Sequence, residues 1–292
     1  MYQKIETARG VAEVETIGTG APVLVLHGSP GGIDGAQAMS RFLDTGDFKL
    51  ILLSRPGYLG TALHPLETSI DHEAQFIIAV LDAIGIERTS VLAWSGGGPS
   101  AYRFAAKYPE RISALVSIAA VSFCWIAPQP TAGQRLLFGT ELGGHLVHFL
   151  TKYSPKQVVA GALEGEGSVR GKELQQLIEQ TMSSPDQRQL VLEIARTVNT
   201  VGSRRSGWQN DICNFANIET LELDKIKCPV LLVHGDADTD APLEHSQFAH
   251  QRVRDSELII MEGGTHLAFY AHARATEVQE RARAWILRFA AV

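Results

Sequence analysis

Ser95 stands between an apolar run, Val91-Leu92-Ala93-Trp94, and a run of small residues, Gly96-Gly97-Gly98, with Pro99 behind them. A strand that turns straight into a helix at such a point pushes one side chain out at the carboxyl end of its sheet. The turn is strained and admits only small residues two places before and after, here Ala93 and Gly97. Gly98 permits close helix packing, and Pro99 suits a first helical turn, where its missing N–H costs nothing. A plain strand–turn–helix connection with an incidental serine would use the same residue types, so the serine has to be judged with its partners. A serine hydroxyl attacks a carbonyl when a neighbouring base takes its proton, and the oxyanion that forms needs preset N–H donors. The amide of Gly96, directly after the serine at a helix N-terminus, is one such donor. Ten histidines offer a base, and three aspartates, Asp236, Asp238 and Asp240, cluster between Gly235 and Pro242.

The elements that must position these groups are legible as alternating runs. Residues 22–27, 48–53, 90–93, 112–120, 229–233 and 258–261 are apolar and bounded by turn residues, the pattern of strands buried on both faces of a parallel sheet. Between them lie helical patterns. Ser69-Ile70-Asp71 opens one, and Phe76, Ile77, Val80, Leu81 and Ile84 recur at three and four residues until Gly85. The last runs over 273–290, with Val278, Ala282, Trp285, Ile286 and Phe289 on one face. Strands alternating with helices predict a mostly parallel α/β sheet flanked by helices. From residue 121 to 224 the alternation stops. Helical periodicity continues through Leu136, Leu137, Leu142, Leu146 and Leu150, then Leu174, Leu177, Ile178, Met182, Leu190, Leu192, Ile194 and Val198. This predicts an inserted helical cap at 121–224 over a core made of 1–120 and 225–292, with 161–171 as a hinge or mobile loop.

The elbow at Ser95 resembles the nucleophile elbow of the α/β-hydrolase family, serine-nucleophile branch, whose pattern Gly-x-Ser-x-Gly is met here except for one methyl at Ala93. The resemblance covers the chain outside the cap. It implies the order serine, acid, histidine. His266, in Glu262-Gly263-Gly264-Thr265-His266-Leu267 after the last strand, is then the base. Asp238 is then the acid, in a Gly-x-x-Asp-x-x-x-Pro setting made by Gly235 and Pro242, with Asp236 and Asp240 left as turn formers. The acid of some members follows the preceding core strand, but Ala119-Ala120-Val121-Ser122 holds no carboxylate there. The family's His-Gly-x-Pro loop, matched at His27-Gly28-Ser29-Pro30, implies the Ser29 amide as the second oxyanion donor. Members with an aspartate nucleophile are disfavoured, because Ser95 occupies that place. Arg55-Pro56-Gly57-Tyr58-Leu59-Gly60 resembles a loop whose usual role beside the site is architectural. An unperturbed imidazole titrates near about 6.5, so a base at His266 predicts a rate that falls toward acid pH.

The resemblance implies a serine hydrolase, most directly of carboxylic esters, acting through an acyl-enzyme without cofactor or metal on a small-molecule acyl substrate. Amide or C–C bond cleavage and haloperoxidase-like chemistry use the same groups, and a small-ligand receptor that keeps the fold is a rival from another class. Phe123, Trp125, Leu137, Phe138, Phe149 and Trp208 are candidates either for an apolar acyl pocket or for the cap's own core. The other histidines, His64, His72, His145, His148, His245, His250 and His272, carry no supporting motif, while His27 and His234 end core strands. The chain has 292 residues and a net charge of −6 with no basic stripe, which speaks against a nucleic-acid binder. Three scattered cysteines and the lack of any 18-residue apolar stretch predict a cytoplasmic protein with free thiols and no membrane partner.

Overall fold

A computed structural model describes residues 2–290. The chain opens with a hairpin, β1 (Gln3–Thr7) and β2 (Gly10–Ile17), followed by β3 (Ala21–Leu26), helix α1 (Ile33–Met39), β4 (Phe48–Leu53), α2 (Ile70–Ala83), β5 (Thr89–Trp94), α3 (Gly98–Lys107) and β6 (Ile112–Ile118). Six helices come next: α4 (Ala132–Phe138), α5 (Glu141–Tyr153), α6 (Pro155–Gly165), α7 (Gly171–Ser183), α8 (Pro185–Ala195) and α9 (Arg205–Ala216). The chain then returns to the sheet through β7 (Val230–Gly235), α10 (Glu244–Arg252), β8 (Ser256–Met261) and α11 (Ala275–Ala290). The eight strands lie in the order β1-β2-β4-β3-β5-β6-β7-β8. The pairs from β4 to β8 are parallel, and the first two strands run antiparallel to their neighbours.

The parallel strands are where the apolar runs lie, because helices cover both faces of the sheet. Every residue of β5, β6 and β7 is buried. Fully burying each Leu or Val contributes about 1.5–3 kcal/mol. The run at 112–120 ends as a strand at Ile118, since Ala119 takes a left-handed φ of 43° and turns the chain out of the sheet. The initial hairpin carries no such run. Only Ala12 and Val14 of β2 are buried, with polar or half-exposed residues between them. Helix α2 starts where Ser69 accepts a hydrogen bond from the N–H of His72, a side-chain cap of the kind that satisfies a free first-turn donor.

The helices between β6 and β7 share the core of the sheet: Val159, Leu163, Leu174 and Ile178 belong to one apolar cluster with Val23, Phe48 and Leu267. Helix α8 packs on α1. The stretch expected to be a mobile glycine loop is otherwise built. Residues 161–165 complete α6, and residues 166–168 are bonded to the two loops that follow β7 and β8. The Ser168 N–H donates to Ala237 O (2.7 Å), the His266 N–H donates to Glu166 O (3.0 Å), and Gly167 pairs with Asp238 in an isolated antiparallel bridge. Glycine serves close approach here: a Cβ on Gly167 would stand 2.4 Å from Thr265 Cγ2. Among the described residues no helix is long and apolar enough to cross a membrane.

Candidate active site

Ser95 sits where β5 ends and a single 3-10 turn, Ser95–Gly97, leads into α3. Its φ is +53°, a left-handed conformation that costs an L-residue about 1–3 kcal/mol and persists only where the surroundings impose it. They do so by close packing. A Cβ on Gly97 would lie 2.5 Å from Leu26 O, and one on Gly98 would lie 2.6 Å from Ala120 Cβ. Strand β3 ends alongside, and a Cβ on Gly28 would stand 3.2 Å from Ser95 Cβ.

The loop after β7 carries Asp238, buried, with a saturated carboxylate. Its Oδ1 accepts from the backbone N–H groups of Asp240 (2.8 Å) and Ala241 (3.0 Å). Its Oδ2 accepts from His266 Nδ1 (2.7 Å) and His234 Nε2 (3.1 Å). Burial alone would raise its pKa, but His266 and His234 outweigh it and hold the carboxyl well below the usual range. His234 is fixed by Ala241 O (2.7 Å) and Ser246 Oγ (2.7 Å). Asp236 ties the two loops together by accepting from the Gly263 N–H (2.7 Å).

His266 is buried, its ring against that of Trp94 with centroids 5.4 Å apart. With Nδ1 committed to Asp238, Nε2 is the nitrogen left for proton transfer. Nε2 lies 3.5 Å from Asp240 Oδ2, so Asp240 does more than shape a turn. Glu166 completes the surroundings. Burial raises its carboxyl pKa to about 8, against the pull of His266 and with support from Asp240 and Asp238. Its Oε2 is buried and has no hydrogen-bond partner. Burial opposes an imidazolium, yet Asp238, Asp240 and Glu166 together push His266 up to about 10. The expectation of an ordinary imidazole near about 6.5 is therefore corrected: three carboxyl groups face one ring.

The loop after β3 holds Ser29 from behind. Ser29 Oγ donates to Asp211 and accepts from Arg55 Nη1 (3.2 Å). Arg55 is buried between two carboxylates, bonding Glu73 through Nε (2.6 Å) and Asp211 through Nη2 (2.8 Å). Tyr58 donates to the same Asp211 (2.6 Å). Asp211 belongs to α9, so this network joins the inserted helices to the Ser29 loop. His27 is a structural member: its Nε2 accepts from the Arg55 N–H (3.1 Å) and its Nδ1 donates to Gly28 O (2.7 Å). Burial, seconded by Arg55, lowers its pKa and keeps it neutral.

Ser29, Ser95, Gly96 and Asp240 line one cavity of about 30 Å³, with Val121, Ala241, Trp125, Trp208 and Phe215. The structure thus brings Ser95, Gly96 and Ser29 to one cavity and sets the Asp238–His266 pair beside it through Asp240. Of the apolar candidates, Trp125 and Trp208 reach the cavity. Phe123 instead stacks on His245 (centroids 3.9 Å), and Phe149 is exposed beside Tyr153. Among the described residues no group of His, Cys, Asp and Glu is arranged to hold a metal ion.

The chain is similar over its whole length to a solved α/β-hydrolase fold protein from Nakamurella multipartita, with 39% identity, full coverage of both chains and a TM-score of 0.96. The chain belongs to the α/β-hydrolase fold family. The family model for that fold matches residues 21–142. Among curated relatives, the Bacillus subtilis hydrolase YcgS is 28% identical, over 91% of this chain and 93% of its own. A Pseudomonas 2-hydroxy-6-oxononadienedioate/2-hydroxy-6-oxononatrienedioate hydrolase is 26% identical, over 90% and 88% respectively. Membership of this family supports hydrolase activity for the α/β hydrolase described here.

Proposed function

We propose that this α/β hydrolase cleaves small carboxylic esters through an acyl-enzyme on Ser95. The observation that carries the reading is the 2.7 Å bond from His266 Nδ1 to Asp238 beside the cavity that Ser95 lines. Ser95 Oγ attacks the ester carbonyl carbon while its proton passes to His266 Nε2. Asp238 holds the ring in the productive tautomer and stabilises its cation. The amides of Ser29 and Gly96 receive the oxyanion, a donor of this kind being worth about 2.7–4 kcal/mol. The tetrahedral species collapses, the alcohol leaves with the proton from Nε2, and a water activated by Nε2 then releases the carboxylic acid. Each step conserves atoms and charge without a cofactor. Residues 121–224 act as the cap, supplying Trp125 from the loop ahead of α4 and Trp208 and Phe215 from α9 to the cavity.

The acyl group is short on this reading, because the cavity measures only about 30 Å³ and is walled by Trp125, Trp208 and Phe215. The dienedioate named for the Pseudomonas relative is a dianion, and Asp240 in the cavity disfavours its like on this chain. A panel of esters of increasing acyl length, run against wild type and Ser95→Ala, tests the reading. Multiple turnovers of acetyl and propionyl esters, lost in Ser95→Ala, are expected. Equal turnover by the two proteins, or one-to-one binding without turnover, overturns it and favours a receptor.

A further inference from the structure

Asp240 is the one carboxylate among the residues lining the cavity beside Ser95, and its side chain is 43% exposed. The other large lining groups are three aromatic rings, Trp125, Trp208 and Phe215, and no lysine or arginine is among the lining residues. Trp125 and Trp208 are half-buried, and Phe215 is buried. Aromatic faces beside a carboxylate make a setting that attracts a cationic nitrogen, through the ring quadrupoles and the full negative charge together.

We propose that this part of the cavity is a subsite for a cationic nitrogen on the leaving-group side of the substrate, with Asp240 as its specificity-determining residue. The proposal rests on the reading of Ser95 as nucleophile and His266 as base. The side follows from geometry. Nε2 of His266 delivers the proton to the departing oxygen, so that oxygen stands within about 3 Å of it. Asp240 Oδ2 is 3.5 Å from the same nitrogen. A cation bonded to Asp240 is therefore a short chain away from the leaving atom, as in an ester of an amino alcohol. When His266 gives up its proton to work as a base, it no longer offers Asp240 a positive partner, and the substrate's cation takes that place. The reaction stays an ordinary hydrolysis: ester and water give a carboxylic acid and the amino alcohol.

The test compares two thioesters of the same shape, acetylthiocholine and 3,3-dimethylbutyl thioacetate, in which a carbon replaces the charged nitrogen. Wild type is expected to favour the cation at least tenfold in kcat/KM, and Asp240→Asn to reduce that ratio at least fivefold. Taking the ratio within each protein cancels any change in the ionisation of His266. A second arm needs no catalysis. Calorimetric titration of Ser95→Ala with choline is expected to show saturable binding, weakened at least tenfold in Ser95→Ala/Asp240→Asn, with both proteins showing native melting transitions. Turnover of both thioesters at equal kcat/KM, with no choline binding, overturns the subsite and leaves the hydrolase reading standing. Choline binding without turnover of any ester supports the subsite and overturns the hydrolase reading. A rise in turnover of both thioesters by one common factor in Asp240→Asn places Asp240's effect on His266 alone and overturns the proposal.

Discussion

Replacing Asp240 with Asn removes a negative charge 3.5 Å from His266 Nε2 while keeping the side chain's size. His266 titrates at about 10 because burial, which disfavours its cation, is outweighed by Asp238, Asp240 and Glu166. A base must be neutral to take the serine proton, so kcat/KM is expected to rise tenfold per pH unit and level off near that value. The Coulomb energy of two unit charges at this separation is about 1.2 kcal/mol at the dielectric constant of water. Water sets the lower limit, since Asp240's side chain is 43% exposed but His266 is buried and burial raises Asp240's own carboxyl. Divided by about 1.36 kcal/mol per pKa unit, this moves His266 down by at least about 0.9 unit. At pH 8 the variant should therefore hydrolyse a neutral ester at least about eightfold faster than wild type, and the two should converge above pH 10. The assay is kcat/KM for an uncharged ester between pH 6 and 10.5, with melting curves at each end. Coincident profiles within 0.2 unit, or an upward shift in the variant, would refute the electrostatic reasoning.

Other perturbations probe the neighbouring parts. In Gly96→Ala the new Cβ meets Ser29 Oγ at 2.1 Å and Ser29 Cβ at 2.7 Å. The Ser29 loop has to retreat, and kcat should fall by about 100-fold or more, as for a lost oxyanion donor; a change under threefold in ester turnover would contradict this. Asp211→Asn leaves the buried Arg55 with Glu73 as its remaining carboxylate. Breaking a buried pair costs about 3–5 kcal/mol, which should lower Tm by about 10 °C; circular-dichroism melting checks it, and a drop under 2 °C would count against the network. Glu166 is held neutral below about 8 by burial, so Glu166→Gln should match wild type at pH 7. Above pH 8 the wild-type carboxyl ionises and holds the His266 proton more tightly, so the variant should be the faster one at pH 9. Initial rates at the two pH values decide it.

What could be read from the chain follows from how local the signal is. The strands at the sheet centre announce themselves because both faces are buried, and Ser95 because its elbow is a matter of nearest neighbours such as Ala93 and Gly97. The β1–β2 hairpin is silent for the opposite reason: it lies at the sheet edge with two buried side chains and polar residues between them. Glycines at 161 and 165 read as loop by composition, yet α6 absorbs them, because tertiary packing through Val159 and Leu163 overrides propensity. The partners that tune the site are further off still. Asp211 meets Ser29 across 182 residues, and Glu166 reaches His266 through a backbone bond that no periodicity encodes. Asp240 resembled a turn former because its neighbour Asp238 does gather local amides, and only the position of the imidazole shows where the second carboxylate points.

The central claim, that Ser95 is the nucleophile, is tested most directly by covalent capture. The protein is incubated with a fluorophosphonate, digested, and the phosphonylated residue located by mass spectrometry. One adduct on the peptide containing Ser95 is predicted, absent from Ser95→Ala and formed at least 100-fold more slowly in His266→Ala. An adduct on another residue, or equal labelling of wild type and Ser95→Ala, would contradict the account.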